Sequence, residues 1–112
     1  MRKIRKLVVH VSDSPDTLDI GVNDIRHWHA DPKPKGNGWS DIGYNFVIRR
    51  NGTVELGRPL QLIPAHTKGH NADSIGICWV GRDKPSYEQY HNLCITLKSL
   101  MLQYDLKPTD VY

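Results

Sequence analysis

The stretch YNFVIRRNGTVEL, residues 44–56, contains the clearest structural signal in the chain. It places two apolar runs on either side of Asn51-Gly52, a dipeptide that accepts the positive φ angles of a tight turn. The sequence therefore predicts a β-hairpin whose strands lie within residues 44–50 and 53–56. Such a hairpin supplies two neighbouring antiparallel strands of a larger sheet.

Two further segments, residues 7–11 and 74–80, are predicted to be buried strands. Both are nearly continuous apolar runs rich in Val and Ile. Runs of this kind are typical of strands that are covered on both faces. We expect residues 7–11 to lie in the middle of the sheet and Gly81 to end the second strand.

Apolar residues spaced three and four positions apart predict a short helix after the first strand. Asn23 is its expected N-cap, and Asp31-Pro32 ends it. Its apolar positions are Val22, Ile25 and Trp28. The following residues, 32–38, combine prolines, glycines and lysines and are expected to form a surface loop.

A second, longer helix is predicted near the end of the chain. Ser86, followed three residues later by Gln89, makes a capping box, and Pro108 forbids continuation much beyond Asp105. Its predicted apolar face consists of Tyr87, Tyr90, Cys94, Leu97, Met101 and Tyr104.

The order of strand, helix, hairpin, strand and helix implies an α/β fold, a mixed central β-sheet flanked by helices. At 112 residues the chain is expected to form a single domain, residues 1–112. Residues 110–112 have the character of the opening of another strand. We therefore expect the domain to be incomplete at its C-terminal end and to lack its last strand.

Composition indicates a packed globular protein, with 38% apolar and 24% charged residues and a net charge of +3. Much of the positive excess lies in the basic N-terminal head, Arg2, Lys3, Arg5 and Lys6. A solvated terminus explains this head better than an anionic partner does. Charge alone carries no sequence readout and no nucleic-acid-binding motif is present, which argues against a nucleic-acid partner.

Cys78 and Cys94 each lie within an apolar stretch and are expected to be buried thiols rather than a disulfide. The apolar run after the basic head is too short for a signal peptide, and no stretch could span a bilayer. We therefore expect no membrane association, and a cytoplasmic location unless the protein is released or a leader has been removed.

Three places carry side chains suited to chemistry. His10 ends a strand and is either a core residue or a metal ligand. Tyr44 begins the hairpin, and its hydroxyl either serves packing or donates a hydrogen bond in a cleft. The loop of residues 64–71 contains two histidines, a lysine and an asparagine, which suits either binding or plain solvation.

Four phrases in order carry a resemblance to a known family. They are His10-Val11-Ser12; Gly38-Trp39 with Gly43-Tyr44-Asn45-Phe46; Asn51-Gly52-Thr53-Val54 with Gly57-Arg58; and Ala65-His66-Thr67-Lys68-Gly69-His70-Asn71 with Ser74-Ile75-Gly76-Ile77. Together they resemble the zinc-dependent N-acetylmuramoyl-L-alanine amidases, a family that includes phage amidase-type lysozymes and animal peptidoglycan recognition proteins.

The resemblance implies a peptidoglycan hydrolase that cuts the amide between N-acetylmuramic acid and L-alanine. In the family, zinc is held by two histidines and a cysteine or aspartate, and by resemblance His10 is the first ligand and Tyr44 the catalytic tyrosine. The residues expected to line the groove for peptidoglycan or muropeptide are His66, Thr67, Lys68, Asn71 and Trp39.

The family's second histidine and its cysteine or aspartate have no counterpart in these 112 residues. His27 and His29 are poor substitutes, because two residues apart on a helix they point to different faces. Two alternatives follow: part of a longer amidase, or a peptidoglycan-binding module that does not cut. We expect the 112-residue chain alone to be inactive, and its exposed sheet edge to favour an oligomer.

Overall fold

The fold is an α/β fold with a mixed sheet, as predicted. The computed structural model describes residues 2–65, 67 and 69–112. These form β1 (Lys6–Val11), α1 (Val22–Ala30), β2 (Phe46–Ile48), β3 (Val54–Leu56), β4 (Ser74–Trp79), α2 (Tyr87–Tyr104) and a short 3-10 helix (Pro108–Asp110). The strand order is β1-β4-β2-β3. Both β1 and β2 run parallel to β4, and β3 is antiparallel to β2.

The two helices cover opposite faces of this sheet. Along β4, Cys78 packs with Ile25 of α1, whereas its neighbour Ile77 packs with Leu100 of α2. Successive side chains of a strand point to opposite faces, so one strand contributes to both cores. The central strand β4 is accordingly buried over almost its whole length, as its apolar sequence predicts.

The predicted hairpin is confirmed. Its loop has three residues, one more than the two-residue loop of the tightest hairpins. The amide of Gly52 donates to the carbonyl of Arg49, and the amide of Arg49 donates to the carbonyl of Thr53. Gly52 has a φ of 91°, a value open to glycine at little cost. This is a three-residue loop in which glycine alone takes the left-handed conformation.

The first strand lies at one end of the strand order, so the expectation that it sits in the middle of the sheet is wrong for the four named strands. Its outer side is nevertheless bonded. Leu7 forms a parallel bridge with Val111, and Tyr112 exchanges backbone hydrogen bonds with Leu7 and Val9, of 2.9 and 2.8 Å. Residues 111–112 thus begin to pair as a further parallel strand beside β1.

The N-cap of α1 is Gly21, and the prediction of Asn23 is wrong. The amide of Val22 donates to the Glu55 carboxylate at 2.9 Å, and the amide of Gly21 donates to Asp24 at 3.0 Å. A carboxylate from β3 therefore satisfies the first turn of the helix. Negative charge at this end is also favoured by the helix dipole.

The long helix begins and ends as predicted. The Ser86 hydroxyl accepts from the Gln89 amide at 3.1 Å, the Gln89 side chain accepts from the Ser86 amide at 2.9 Å, and Asp105 takes a left-handed C-cap conformation. The predicted apolar face is wrong at its start, because Tyr87 is 80% exposed and Tyr90 61% exposed. Gln89 occupies the buried position instead.

Both cysteines are free thiols, as expected, with Cys78 buried and Cys94 partly buried. Within residues 2–65, 67 and 69–112, no helix is both long enough and apolar enough to cross a membrane.

Arg2 departs from the expected solvated terminus. Its guanidinium donates to the carbonyls of Leu60, Asn71 and Ser74, at 2.8, 3.2 and 2.5 Å. Ile4 behind it is buried. The side chain of Arg2 therefore holds the chain before β4 in place through hydrogen bonds to its backbone.

Gln89 offers a test of how α2 is joined to the sheet. Its side-chain amide donates to the carbonyls of Ile48 and Val80, at 3.0 and 2.8 Å, inside the core. We expect Gln89→Ala to lower the free energy of unfolding by about 2–3 kcal/mol, because two buried hydrogen bonds and the bond from the Ser86 amide to the Gln89 side chain are lost. Urea unfolding measures the change.

The matched control is Gln103→Ala, an exposed position on the same helix. Its effect should stay within about 0.5 kcal/mol. Equal losses for the two variants would contradict the role assigned to the buried hydrogen bonds, because Gln→Ala does not lower helix propensity.

Candidate functional site

His10 lies near the C-terminal end of β1, opposite Cys78 of β4 in the parallel register. The ring is half-buried, and burial lowers the pKa of His10 below its ordinary value. The imidazole is therefore neutral near pH 7 and keeps a lone pair on one nitrogen. Its Nε2 lies 3.2 Å from the Thr67 hydroxyl.

Tyr44 lies beside His10, with the two ring centroids 5.4 Å apart. Its hydroxyl lies near the thiol of Cys78, and the ring packs against the core under α1. Burial, followed by the neighbouring thiol, raises the pKa of Tyr44 far above its ordinary value. Burial likewise raises the pKa of Cys78 to about 12. The phenol is held in its protonated form, in which it can donate a hydrogen bond.

His29 joins this cluster from α1, although sequence reasoning did not single it out as a site residue. Its ring lies 5.4 Å from Tyr44 and 4.7 Å from Trp39. Position 29 falls one helical turn after the buried Ile25, and this spacing could have identified it. Trp28, predicted to face the core, is instead 41% exposed.

His27 and His29 point in different directions, as predicted. The His27 ring is exposed and pairs with Asp31 at 3.0 Å. His29 Nδ1 accepts a hydrogen bond from the amide of Gly43 at 2.8 Å. This bond fixes the backbone immediately before Tyr44.

Thr67 and Asn71 belong to the loop predicted to line a groove, and the structure places Thr67 against His10. The side chain of Asn71 accepts from the amide of Thr67 at 2.8 Å, so Asn71 shapes this loop. His66 and Lys68, the other two residues predicted there, lie outside the described residues. Trp39 reaches the cluster through its contact with His29.

Two contacts bring the Tyr44 segment and the Thr67 loop together. The amide of Ala65 donates to the carbonyl of Gly43, and any Cβ at position 43 would collide with the Ala65 carbonyl oxygen. Arg58 donates to the carbonyls of Ile42 and Ile63, at 2.9 and 2.8 Å. Glycine at position 43 and arginine at position 58 thus set the width of the cleft.

His10 fits a metal ligand in its protonation state and exposure. Among residues 2–65, 67 and 69–112, no three His, Cys, Asp or Glu side chains are grouped closely enough to hold a metal ion. A catalytic zinc site takes three protein ligands. The described residues therefore do not include a complete site of this kind.

A mixed sheet between two helices, with His10 near the C-terminal end of a parallel strand and Tyr44 beside it, defines an α/β protein with a candidate site at that edge of the sheet. Residues 1–112 match the family described as N-acetylmuramoyl-L-alanine amidase. The chain belongs to this family, as its sequence resemblance implied.

Similar proteins come from phages, bacteria and animals. The endolysin of Klebsiella phage KP32 is 47% identical over 76 residues, covering 68% of this chain and 47% of that protein. The amidase LysC of Clostridium intestinale has 28% identity and a TM-score of 0.84, with 98% of this chain and 69% of that chain covered. A complex of peptidoglycan recognition proteins LCa and LCx with tracheal cytotoxin has 27% identity and a TM-score of 0.81, covering 100% and 70%. The chain thus spans about half the length of the KP32 endolysin.

His29 gives the site a pH dependence. Burial, and then the positive charge of Arg58, hold the pKa of His29 below its ordinary value. The folded state disfavours the protonated ring, so the stability contributed by neutral His29 is complete above the unfolded-state pKa of about 6.5 and is lost below it. We expect the free energy of unfolding to fall between about pH 7.5 and about pH 5.

His29→Asn separates this effect from other titrations. The asparagine oxygen can still accept from the Gly43 amide, but the side chain cannot be protonated. Urea unfolding of the variant should show a smaller loss of stability over the same pH interval. Identical pH slopes for the two proteins would contradict the assignment.

Proposed function

We propose that the protein is a zinc-dependent peptidoglycan amidase that cleaves the amide between N-acetylmuramic acid and L-alanine. The observation that carries the proposal is the neutral His10 ring 5.4 Å from the ring of the protonated Tyr44, with Thr67 against the imidazole. Family membership supports the reaction class. His10, Tyr44 and the groove residues His66, Thr67, Lys68, Asn71 and Trp39 take the roles expected from the sequence.

In this proposal His10 is one ligand of zinc, which when bound lowers the pKa of a coordinated water to about 7 and polarises a carbonyl. The bridge between Leu7 and Val111 indicates where a second ligand would come from. Continued in the same parallel register, it would place the second residue after Tyr112 directly beside His10. A histidine there would face the same side of the sheet, because side chains alternate along a strand.

Tyr44 would donate a hydrogen bond from its phenol to the oxygen on which negative charge develops. Its raised pKa suits this task, because a phenolate could not donate. Thr67 and Asn71 would hold the loop that forms the other wall of the groove. Donors fixed in advance in a partly buried cleft stabilise such charge better than water does.

Tyr44→Phe in a full-length version of the protein tests this role. We expect release of L-alanine peptides from cell walls to fall about 10²–10³-fold, because one hydrogen-bond donor is lost. Tyr90→Phe, an exposed tyrosine on α2, is the matched control and should keep full activity. Retained activity in Tyr44→Phe with an intact fold would refute the assignment.

A second candidate function is binding of muropeptide without cleavage. It is favoured by the likeness to peptidoglycan recognition proteins whose structure holds tracheal cytotoxin. In this case the groove would be used but no metal chemistry would follow.

Zinc titration by calorimetry separates the two functions. For the amidase, we expect the full-length protein to bind one zinc ion tightly and His10→Ala to lose that binding, since three ligands are needed for a stable site. His91→Ala, on an exposed part of α2, is the control. Absence of zinc binding together with retained muropeptide binding would favour the binding module.

A further inference from the structure

A cavity of about 260 Å³ opens beside the site and has no role in the function proposed above. Its lining residues are Lys6, Val8, Thr67, His70 and Tyr112. Lys6 and Val8 precede His10 at intervals of two residues on β1, so all three side chains lie on one face of the sheet. Thr67 contacts both the cavity and His10, which makes the cavity an extension of the same groove.

The polar groups that line this cavity are mainly hydrogen-bond donors. Lys6 Nζ lies 2.8 Å from His70 Nδ1. An ammonium group can only donate, so Nδ1 accepts, and the neutral His70 ring carries its proton on Nε2. Thr67 and Tyr112 add hydroxyl groups, which can donate or accept, and the Thr67 hydroxyl also contacts His10. Among the residues that the structure describes, no carboxylate side chain lines the cavity.

Asp73 is the carboxylate that faces Lys6. Its contact with the ammonium group is long enough for Lys6 to donate hydrogen bonds to a further anion. The Nζ to Oδ2 distance is 3.6 Å, longer than the 2.7–2.9 Å or so of a charge-assisted hydrogen bond. The lysine side chain is 20% exposed, so its aliphatic stem is largely buried while the contact of its ammonium group with His70 is exposed. With three donor hydrogens and one firm acceptor, Lys6 can serve an anion in the cavity.

We propose that this cavity is a subsite for a carboxylate of the peptidoglycan stem peptide, with Lys6 and His70 as its donors. The inference rests on the proposed function, which places the scissile amide at His10 and Tyr44. Lys6 precedes His10 by four residues, about 13 Å along a strand. Since each extended peptide residue spans about 3.3–3.6 Å, this distance covers between three and four residues, which favours the carboxylate of the third residue of the stem over that of the second.

The test uses calorimetric binding of N-acetylmuramoyl tripeptides to the full-length protein in EDTA, so that hydrolysis does not intervene. Three ligands are compared: one with both stem carboxylates free, one amidated at the D-glutamate α-carboxyl, and one amidated at the C-terminal carboxyl. We expect one of the two amidated ligands to bind about tenfold more weakly than the ligand with both carboxylates free, because one charged hydrogen-bond partner is lost. The ligand that weakens identifies which carboxylate is bound.

Lys6→Met should remove this preference, whereas Lys6→Arg should retain it because it keeps the charge. Lys98→Met is the matched control, an exposed lysine on α2, across the sheet from the groove. Circular dichroism and urea unfolding establish that each variant is folded.

The outcomes distinguish a failure of the proposed subsite from a failure of the proposed amidase function. Equal binding of all three ligands by the wild-type protein would contradict the subsite without contradicting the proposed amidase function. An unchanged preference in Lys6→Met would also overturn it. Failure of the folded wild-type protein to bind any of the ligands would count against the proposed function and the subsite together.

Discussion

The parallel pairing of β1 with β4 is the constraint on which the candidate site depends. It sets His10 beside Cys78 on the face covered by α1, and Tyr44 packs against the same core cluster as Cys78. Because alternate side chains of a strand point to opposite faces, a shift of one residue would turn His10 away from Tyr44. The relation between imidazole and phenol therefore rests on strand register, which backbone hydrogen bonds and two apolar cores specify together.

Local patterns predicted most of the fold, and the errors occurred where distant residues decide. The turn at Gly52 and the capping box of α2 depend on neighbours within four residues, so the sequence was sufficient to predict them. The N-cap of α1 was wrong because its carboxylate, Glu55, comes from β3. The first turn of α2 was misjudged because a buried glutamine, not a tyrosine, meets the carbonyls of Ile48 and Val80.

The candidate site, like the fold, could be predicted from the sequence only in part. Resemblance singled out His10, Tyr44 and Thr67, which the structure brings together, although their chemical roles remain proposals. Sequence reasoning missed what His29 and Arg58 do, because their hydrogen-bond partners in the site are backbone groups rather than other side chains. Backbone carbonyl and amide groups are common to nearly all residue types, so no sequence motif could predict these contacts. Only the folded chain shows that the two loops are joined through them.

Burial shifts the pKa values of His10 and Tyr44 in opposite directions, yet it has one consequence for their charge. A buried imidazole loses its proton and a buried phenol keeps one, so both groups are neutral. One is then an electron-pair donor and the other a hydrogen-bond donor, the complementary pair that amide hydrolysis assisted by a metal requires. Lys6, at the far end of the same strand face, supplies positive charge. A groove that is neutral at one end and cationic at the other would orient an acidic peptide before any chemistry begins.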